Sequence, residues 1–282
     1  MKIGAREFHT KGHTYVMGIL NITPDSFSDG GKWFQRDKAL RHVDEMMKEG
    51  ADIIDIGGES TRPGYTPVPE EEEAARVVPV IEAVKAAFDI PVSLDTYKPR
   101  VAQAGISAGA DLINDIWGLK YDSPDTARAQ AGTMAEVIAA SALPCCLMHN
   151  RKTAEYGNFM RDVAADLEET LRLAAEAGIS KDKIILDPGV GFAKDYGQNL
   201  EVIRRLGELG RLGCPLLLGC SRKSVVGLTL DLPSDQRMEG TLVTTVMGVI
   251  KGCMFVRVHD VKENVRAVKM AEAILGGERD VF

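Results

Sequence analysis

Eight short apolar runs recur along the chain of 282 residues, and nearly every one ends in a polar residue that a buried strand does not need. Tyr15–Leu20 ends at Asn21, Val92–Leu94 at Asp95, Leu112–Ile113 at Asn114 and Ile184–Leu186 at Asp187. Leu216–Leu218 leads to Ser221, Arg222 and Lys223, and Phe255–Val256 leads to Arg257 and His259. Ile53–Ile56 and Pro144–His149 complete the set. Strands with apolar bodies and reactive ends, alternating with helices, are what a (β/α)8 barrel requires, because its active site is built on the C-terminal ends of the strands.

Helical patterns lie between the runs. Glu70–Phe88 begins acidic, which suits a helix N-terminus, and its Val77, Val80, Ile81 and Val84 recur at helical spacing. Asp162–Ala177 repeats the pattern and stops before Gly178, while Val261–Leu275 is ended by Gly276–Gly277. Strand–helix units recur roughly every 35 residues, and no linker or low-complexity segment divides them. The expectation is an α/β fold, a single-domain (β/α)8 TIM barrel over residues 1–282 with its core at about 15–275.

A hydrophobic content of 45% supports a large core. The net charge of −7 argues against a nucleic-acid partner, since no basic patch stands ready to neutralise phosphates. A small anionic substrate is still allowed, because local charge decides that. Met1–Thr14 is polar and lacks the apolar core of a secretion signal, and no run reaches membrane-spanning length. The five cysteines include no CxxC pair and read as reduced core thiols of a cytoplasmic protein.

The connections after the first two runs are long, and long loops in compact domains are usually functional. The first, Asn21 to Gly31, mixes turn formers with Asp25, Asp29 and Phe27, and Gly30–Gly31 allows a hinge. It reads equally as a mobile lid or as a solvated loop. Asn21 can ligate Mg2+ through its amide oxygen, since magnesium takes few protein oxygens beside substrate phosphate. Arg62 in the second loop suits a carboxylate or phosphate, or an ordinary solvated turn. Asp95, Asn114 and Asp187 end the third, fourth and sixth strands and converge in a barrel. Two carboxylates and an amide facing an apolar pocket suit a ring with several N–H donors and acceptors, such as an aminopyrimidinone. Paired acid/base carboxylates and a metal site are alternatives, with His149 the one histidine near. The Cys220–Ser224 loop stands where barrels often bind phosphate. Arg257 and His259 share one side of the last strand and suit an anion, or, for Arg257, a buried ion pair.

These stretches resemble the dihydropteroate synthases. The likeness rests on Met17–Gly31, Gly57–Gly64, Asp95–Thr96, Ile113–Asp115, Leu186–Phe192, Ser221–Ser224 and Arg257–Asp260, in the family's order. Val225–Val226 and Trp117 stand outside that pattern. The resemblance implies an enzyme that joins 4-aminobenzoate to 6-hydroxymethyl-7,8-dihydropterin diphosphate, releasing 7,8-dihydropteroate and diphosphate on the route to folate. By this likeness Asp95, Asn114, Asp187 and Lys223 hold the pterin, with Arg257 on its face. Asn21 holds Mg2+ against the diphosphate, which Thr61, Arg257 and His259 contact. Phe192, Lys223, Ser224, Arg62, Pro63 and Phe27 surround the aminobenzoate. Asp95, Lys223, Arg257 and Asp29 are the expected catalytic groups. The likeness also implies a homodimer and a sulfonamide target.

Two rival readings stay open. A barrel transferring methyl from a folate to a corrinoid would share Asp95, Asn114 and Asp187, with no reason to keep the first-loop acids or Ser221–Ser224. A non-catalytic pterin binder should have lost Asn21, Lys223 or Arg257, and all three are present.

Overall fold

The apolar runs fold as the parallel strands of a barrel in the computed structural model, which describes residues 1–9, 12–22, 32–60, 67–121 and 132–276, with 32–35 described by backbone alone. An N-terminal hairpin, β1 (Lys2–Ile3) and β2 (Arg6–Glu7), comes first. The barrel strands follow as β3 (Tyr15–Asn21), β4 (Ile53–Gly57), β5 (Val92–Asp95), β6 (Leu112–Asp115), β7 (Cys145–Met148), β8 (Ile184–Asp187), β9 (Leu217–Leu218) and β10 (Phe255–Val258). They are hydrogen-bonded in the order β8-β7-β6-β5-β4-β3-β10-β9, and a parallel bridge between Leu186 and Leu216 joins the two ends.

Period-two alternation sorts each strand onto two faces. Val16, Leu20, Ile54, Ile56, Leu94, Ile113, Leu147, Leu186, Leu218 and Val256 point outward into the main core. Met17, Ile53, Leu112, Cys146, Ile185, Leu217 and Phe255 point inward and cluster with Ile3 and Phe8 of the hairpin, which plugs the N-terminal end of the barrel. Two residues further along the same inner faces come Asp55, Asn114, Met148, Asp187, Gly219 and Arg257, with Asp95 on β5. The chain thus builds an apolar floor and a polar layer directly above it.

The helices are α1 (Lys32–Glu49), α2 (Glu70–Ala87), α3 (Pro99–Ser107), α4 (Met134–Ser141), α5 (Phe159–Glu176), α6 (Tyr196–Arg204), α7 (Ser224–Leu230), α8 (Met238–Ile250) and α9 (Val261–Leu275) among the described residues. Packing on the sheet is close: a Cβ on Gly105 of α3 would lie 2.2 Å from Leu94 Cδ2. Some expected boundaries move. Asp162–Ala177 starts earlier, at Phe159, because the Asn158 side chain caps the Arg161 N–H. Pro144–His149 and Leu216–Gly219 shorten to β7 and β9, with Leu216 joined to β8 by a single bridge. Two helices, α7 and α8, fill the β9–β10 connection. All five cysteines are buried and none forms a disulfide among the described residues. No helix among the described residues is long and apolar enough to cross a membrane.

Candidate active site

At the C-terminal end of the barrel the polar layer opens into a cleft of about 420 Å³. Its lining includes Asn21, Asp95, Asn114, Asp187, Phe192, Lys223, Ser224, Arg257 and His259. The sequence placed these on the ends of separate strands, and barrel closure brings them to one cavity. Phe27 and Asp29 in the first loop, with Asp25, and Thr61, Arg62 and Pro63 in the second lie outside the described residues.

Arg257 organises the layer. Its Nε donates to Asp55 Oδ2 at 2.6 Å and its Nη2 to Asp95 Oδ2 at 2.6 Å. Asn114 Nδ2 donates to the same Asp55 oxygen at 3.3 Å. The ion-pair alternative for Arg257 therefore holds, and the residue lines the cleft as well. Asp55 is the residue that reading strand ends missed. It is fully buried, and its signal was an acid inside the apolar Ile53–Ile56 run.

Each outer carboxylate keeps an oxygen for a ligand. Asp95 Oδ1 has no hydrogen-bond partner among the described residues. Asp187 Oδ1 accepts the Gly189 N–H at 2.7 Å, and its Oδ2 faces the space above Gly219, 3.6 Å from where a Cβ would stand. Gly57, opposite, leaves similar room beside Asp95 and Asn21. Side chains on these two inward positions would fill the volume a flat ring needs.

Burial pushes Asp95 up to about 7, with Asp55 and Glu73 adding to the rise and Arg257 opposing it. Burial also raises Asp187, against the Lys223 ammonium. Lys223 is lowered by burial in turn. Its Nζ donates to Val190 O and sits 4.7 Å from the Phe192 ring centroid. Such a layer trades charge readily with an incoming polar ring.

Ser221 Oγ accepts the His259 N–H at 3.1 Å and lies 3.0 Å from His259 Nδ1. With the hydroxyl donating to Nδ1, a neutral ring carries its proton on Nε2. Arg222, in the left-handed region at φ 57°, pairs with Asp260. Arg222, read from the sequence at the end of the seventh apolar run, lines the cleft, and Ser234 and Arg237, which were not anticipated, join it.

A second buried cluster flanks the cleft. Lys98 Nζ contacts Glu59 Oε2 at 2.5 Å, Glu73 Oε2 at 2.6 Å and Val68 O at 2.6 Å. Tyr97 Oη donates to Glu59 Oε1 at 2.7 Å. No local pattern joins residues so far apart in sequence, and the sequence reading did not find them. His149 does not line the cleft, which removes it as a metal ligand there. Trp117 packs with Tyr97, Ile116, Met148, Tyr121 and Phe192 at the edge of the cleft, so it borders the site rather than standing apart. Val225 and Val226 are buried in the core. Cys220 is buried too, and burial raises its thiol to about 12, which leaves it inert as a nucleophile.

Among the described residues no group of three or more His, Cys, Asp and Glu can hold a metal ion. The remaining oxygen donor at the mouth of the first strand is the Asn21 amide, which lines the cleft. One neutral protein oxygen fits a magnesium ion held chiefly by substrate oxygens and water.

Residues 17–259 match the family model described as pterin binding enzyme. A dihydropteroate synthase of Clostridium beijerinckii is 57% identical over 98% of this chain and 99% of its own length. That of Bacillus subtilis is 51% identical over 94% and 90%. Among solved structures, a Clostridium difficile dihydropteroate synthase determined in the presence of pteroic acid superposes with a TM-score of 0.88 at 46% identity, covering 97% of this chain and 98% of that one. A Xanthomonas albilineans dihydropteroate synthase with 4-aminobenzoic acid gives 0.85 at 40% identity, covering 93% of each. The chain belongs to the dihydropteroate synthase family of pterin-binding enzymes.

Proposed function

We propose that this chain condenses 6-hydroxymethyl-7,8-dihydropterin diphosphate with 4-aminobenzoate, giving 7,8-dihydropteroate and diphosphate in folate biosynthesis. The observation that carries the reading is the set of Asp95, Asn114, Asp187 and Lys223 facing one cleft that Gly219 keeps open beside Asp187. Carboxylate and amide oxygens suit the N–H donors of the pterin, and Lys223 suits its acceptors. Arg257 lies against the ring's face.

Arg257, His259 and Thr61 bind the diphosphate, and Asn21 would hold magnesium. Bound there, the ion would neutralise charge on the leaving diphosphate. Departure leaves a positive charge spread over the dihydropterin, which Asp95 and Asp29 stabilise. The aromatic amine is then nucleophile enough, and no activated Ser or Cys is required. Phe192, Ser224, Lys223, Arg62, Pro63 and Phe27 enclose the aminobenzoate, the pocket that sulfonamides would contest.

The protein acts in the cytoplasm as a homodimer in this reading. Support for pairing comes from Leu228 and Val243, which are 67% and 64% exposed on the adjacent α7 and α8. The deciding experiment incubates the protein with both substrates and Mg2+ and looks for dihydropteroate. A folded protein that forms none defeats the reading.

A further inference from the structure

The turn after β8 is held from two sides. On the cleft side the Gly189 N–H donates to Asp187 Oδ1 at 2.7 Å and Val190 O accepts from Lys223. From behind, Lys194 Nζ reaches Gly189 O at 3.0 Å, Phe192 O at 3.1 Å and His149 Nδ1 at 2.8 Å. Lys194 is absent from the cleft lining, as are His149 and Asp166. The turn lies flush on the end of β7: a Cβ on Gly189, at φ 71°, would stand 2.0 Å from His149 O.

Lys194 is itself held. His149 is buried, and its Nε2 meets Asp166 Oδ2 at 2.9 Å, an oxygen that also takes Arg151 Nε at 2.5 Å. Burial lowers His149 to about 4, so the ring stays neutral. Nδ1 then accepts from the ammonium while Nε2–H donates to Asp166. Burial also lowers Lys194 to about 7, so this cation sits where its charge is disfavoured. A methionine would fill the same length without that cost. The three acceptors the lysine reaches offset that cost, and two of them are carbonyls of the turn.

We infer that Lys194 is a positioning residue for the reaction, fixing the Gly189–Phe192 turn from behind so that Asp187, Phe192 and Lys223 meet the substrates in register. The inference rests on the synthase reading above. Of the carbonyls that Lys194 holds, one is two residues from Asp187 and the other belongs to Phe192 itself, so their release lets those groups drift. Asp187 and Lys223 face the pterin and Phe192 the aminobenzoate, so both substrates feel the change.

The test is Lys194→Met, assayed with both substrates and Mg2+, with a thermal melt alongside. KM for the pterin diphosphate and for 4-aminobenzoate should each rise about tenfold while kcat stays within about twofold, the pattern of lost ground-state binding. A merely structural lysine would shift the melt and leave both KM values alone, and that result overturns the inference. Should Lys194→Met not fold, Asp166→Asn decides, because it keeps the lysine and loosens the histidine behind it. A smaller rise in both KM values supports the inference, and unchanged values overturn it. A wild type that makes no dihydropteroate defeats the functional reading itself, before any variant is compared.

Discussion

Arg257 Nη2 and Asp95 Oδ2, 162 residues apart in the chain, meet at 2.6 Å across the top of the barrel. The pair joins the last strand to the third and leaves Asp95 Oδ1 without a partner among the described residues. A charge that is half satisfied by the fold is suited to being completed by a ligand.

Asp187→Asn should fold and bind the pterin substrate far more weakly. An amide there presents a donor to a ring donor, and an unmatched buried polar group costs about 1–3 kcal/mol. Titration calorimetry of the folded variant checks this, and wild-type affinity would remove Asp187 from the pterin site.

Asp95 should impose a pH dependence of two opposite signs. Its carboxyl is raised to about 7, so the ligand-free fold favours the protonated form. The stability it contributes is full below the ordinary carboxylate range and is lost as pH rises towards about 7. Ring N–H donors prefer the ionised carboxylate, so pterin affinity should instead fall as pH drops through about 7. Asp95→Asn should flatten both profiles. Melts and pterin titrations across this range would expose the error if the variant kept both wild-type slopes.

Asn21→Ala and chelation should depress the same step. Full turnover of the wild type in excess EDTA would exclude the metal role.

Two glycine substitutions should separate folding from binding. Gly219→Val puts methyls into the space facing Asp187 Oδ2, Arg257 and Lys223, so the protein should fold and lose most pterin affinity. Gly105→Ala meets Leu94 Cδ2 and should cost about 1–3 kcal/mol of stability with pterin affinity kept. Equal effects of the two on binding would contradict the assignment of Gly219 to the cleft.

Diphosphate should depart before the amine attacks. Arg257 and His259, assigned above to the diphosphate, share the cleft with the acids Asp95 and Asp187. Pterin substrate and Mg2+ alone should therefore give slow diphosphate release, or isotope scrambling within the diphosphate. No scrambling in an enzyme that is active with the amine would favour direct displacement.

The strand ends were legible before any coordinates. Asp95, Asn114, Asp187 and Arg257 each follow an apolar run, and alternation with helices converts such runs into a barrel whose ends converge. Those signals are local: period two within a strand, 3.6 within a helix, and a cap or glycine at the boundary. The tertiary structure alone decided which charges touch. Asp55 with Arg257, Lys98 with Glu59 and Glu73, and Lys194 with His149, which in turn meets Asp166, are contacts made by tertiary packing, between residues no local period relates. Burial and these contacts set which carboxylate oxygen stays open and how far Asp95 is raised, because desolvation depends on what surrounds a group in space. Sequence pattern determined where the reactive groups stand along each strand, and the closed barrel determined what they do to one another.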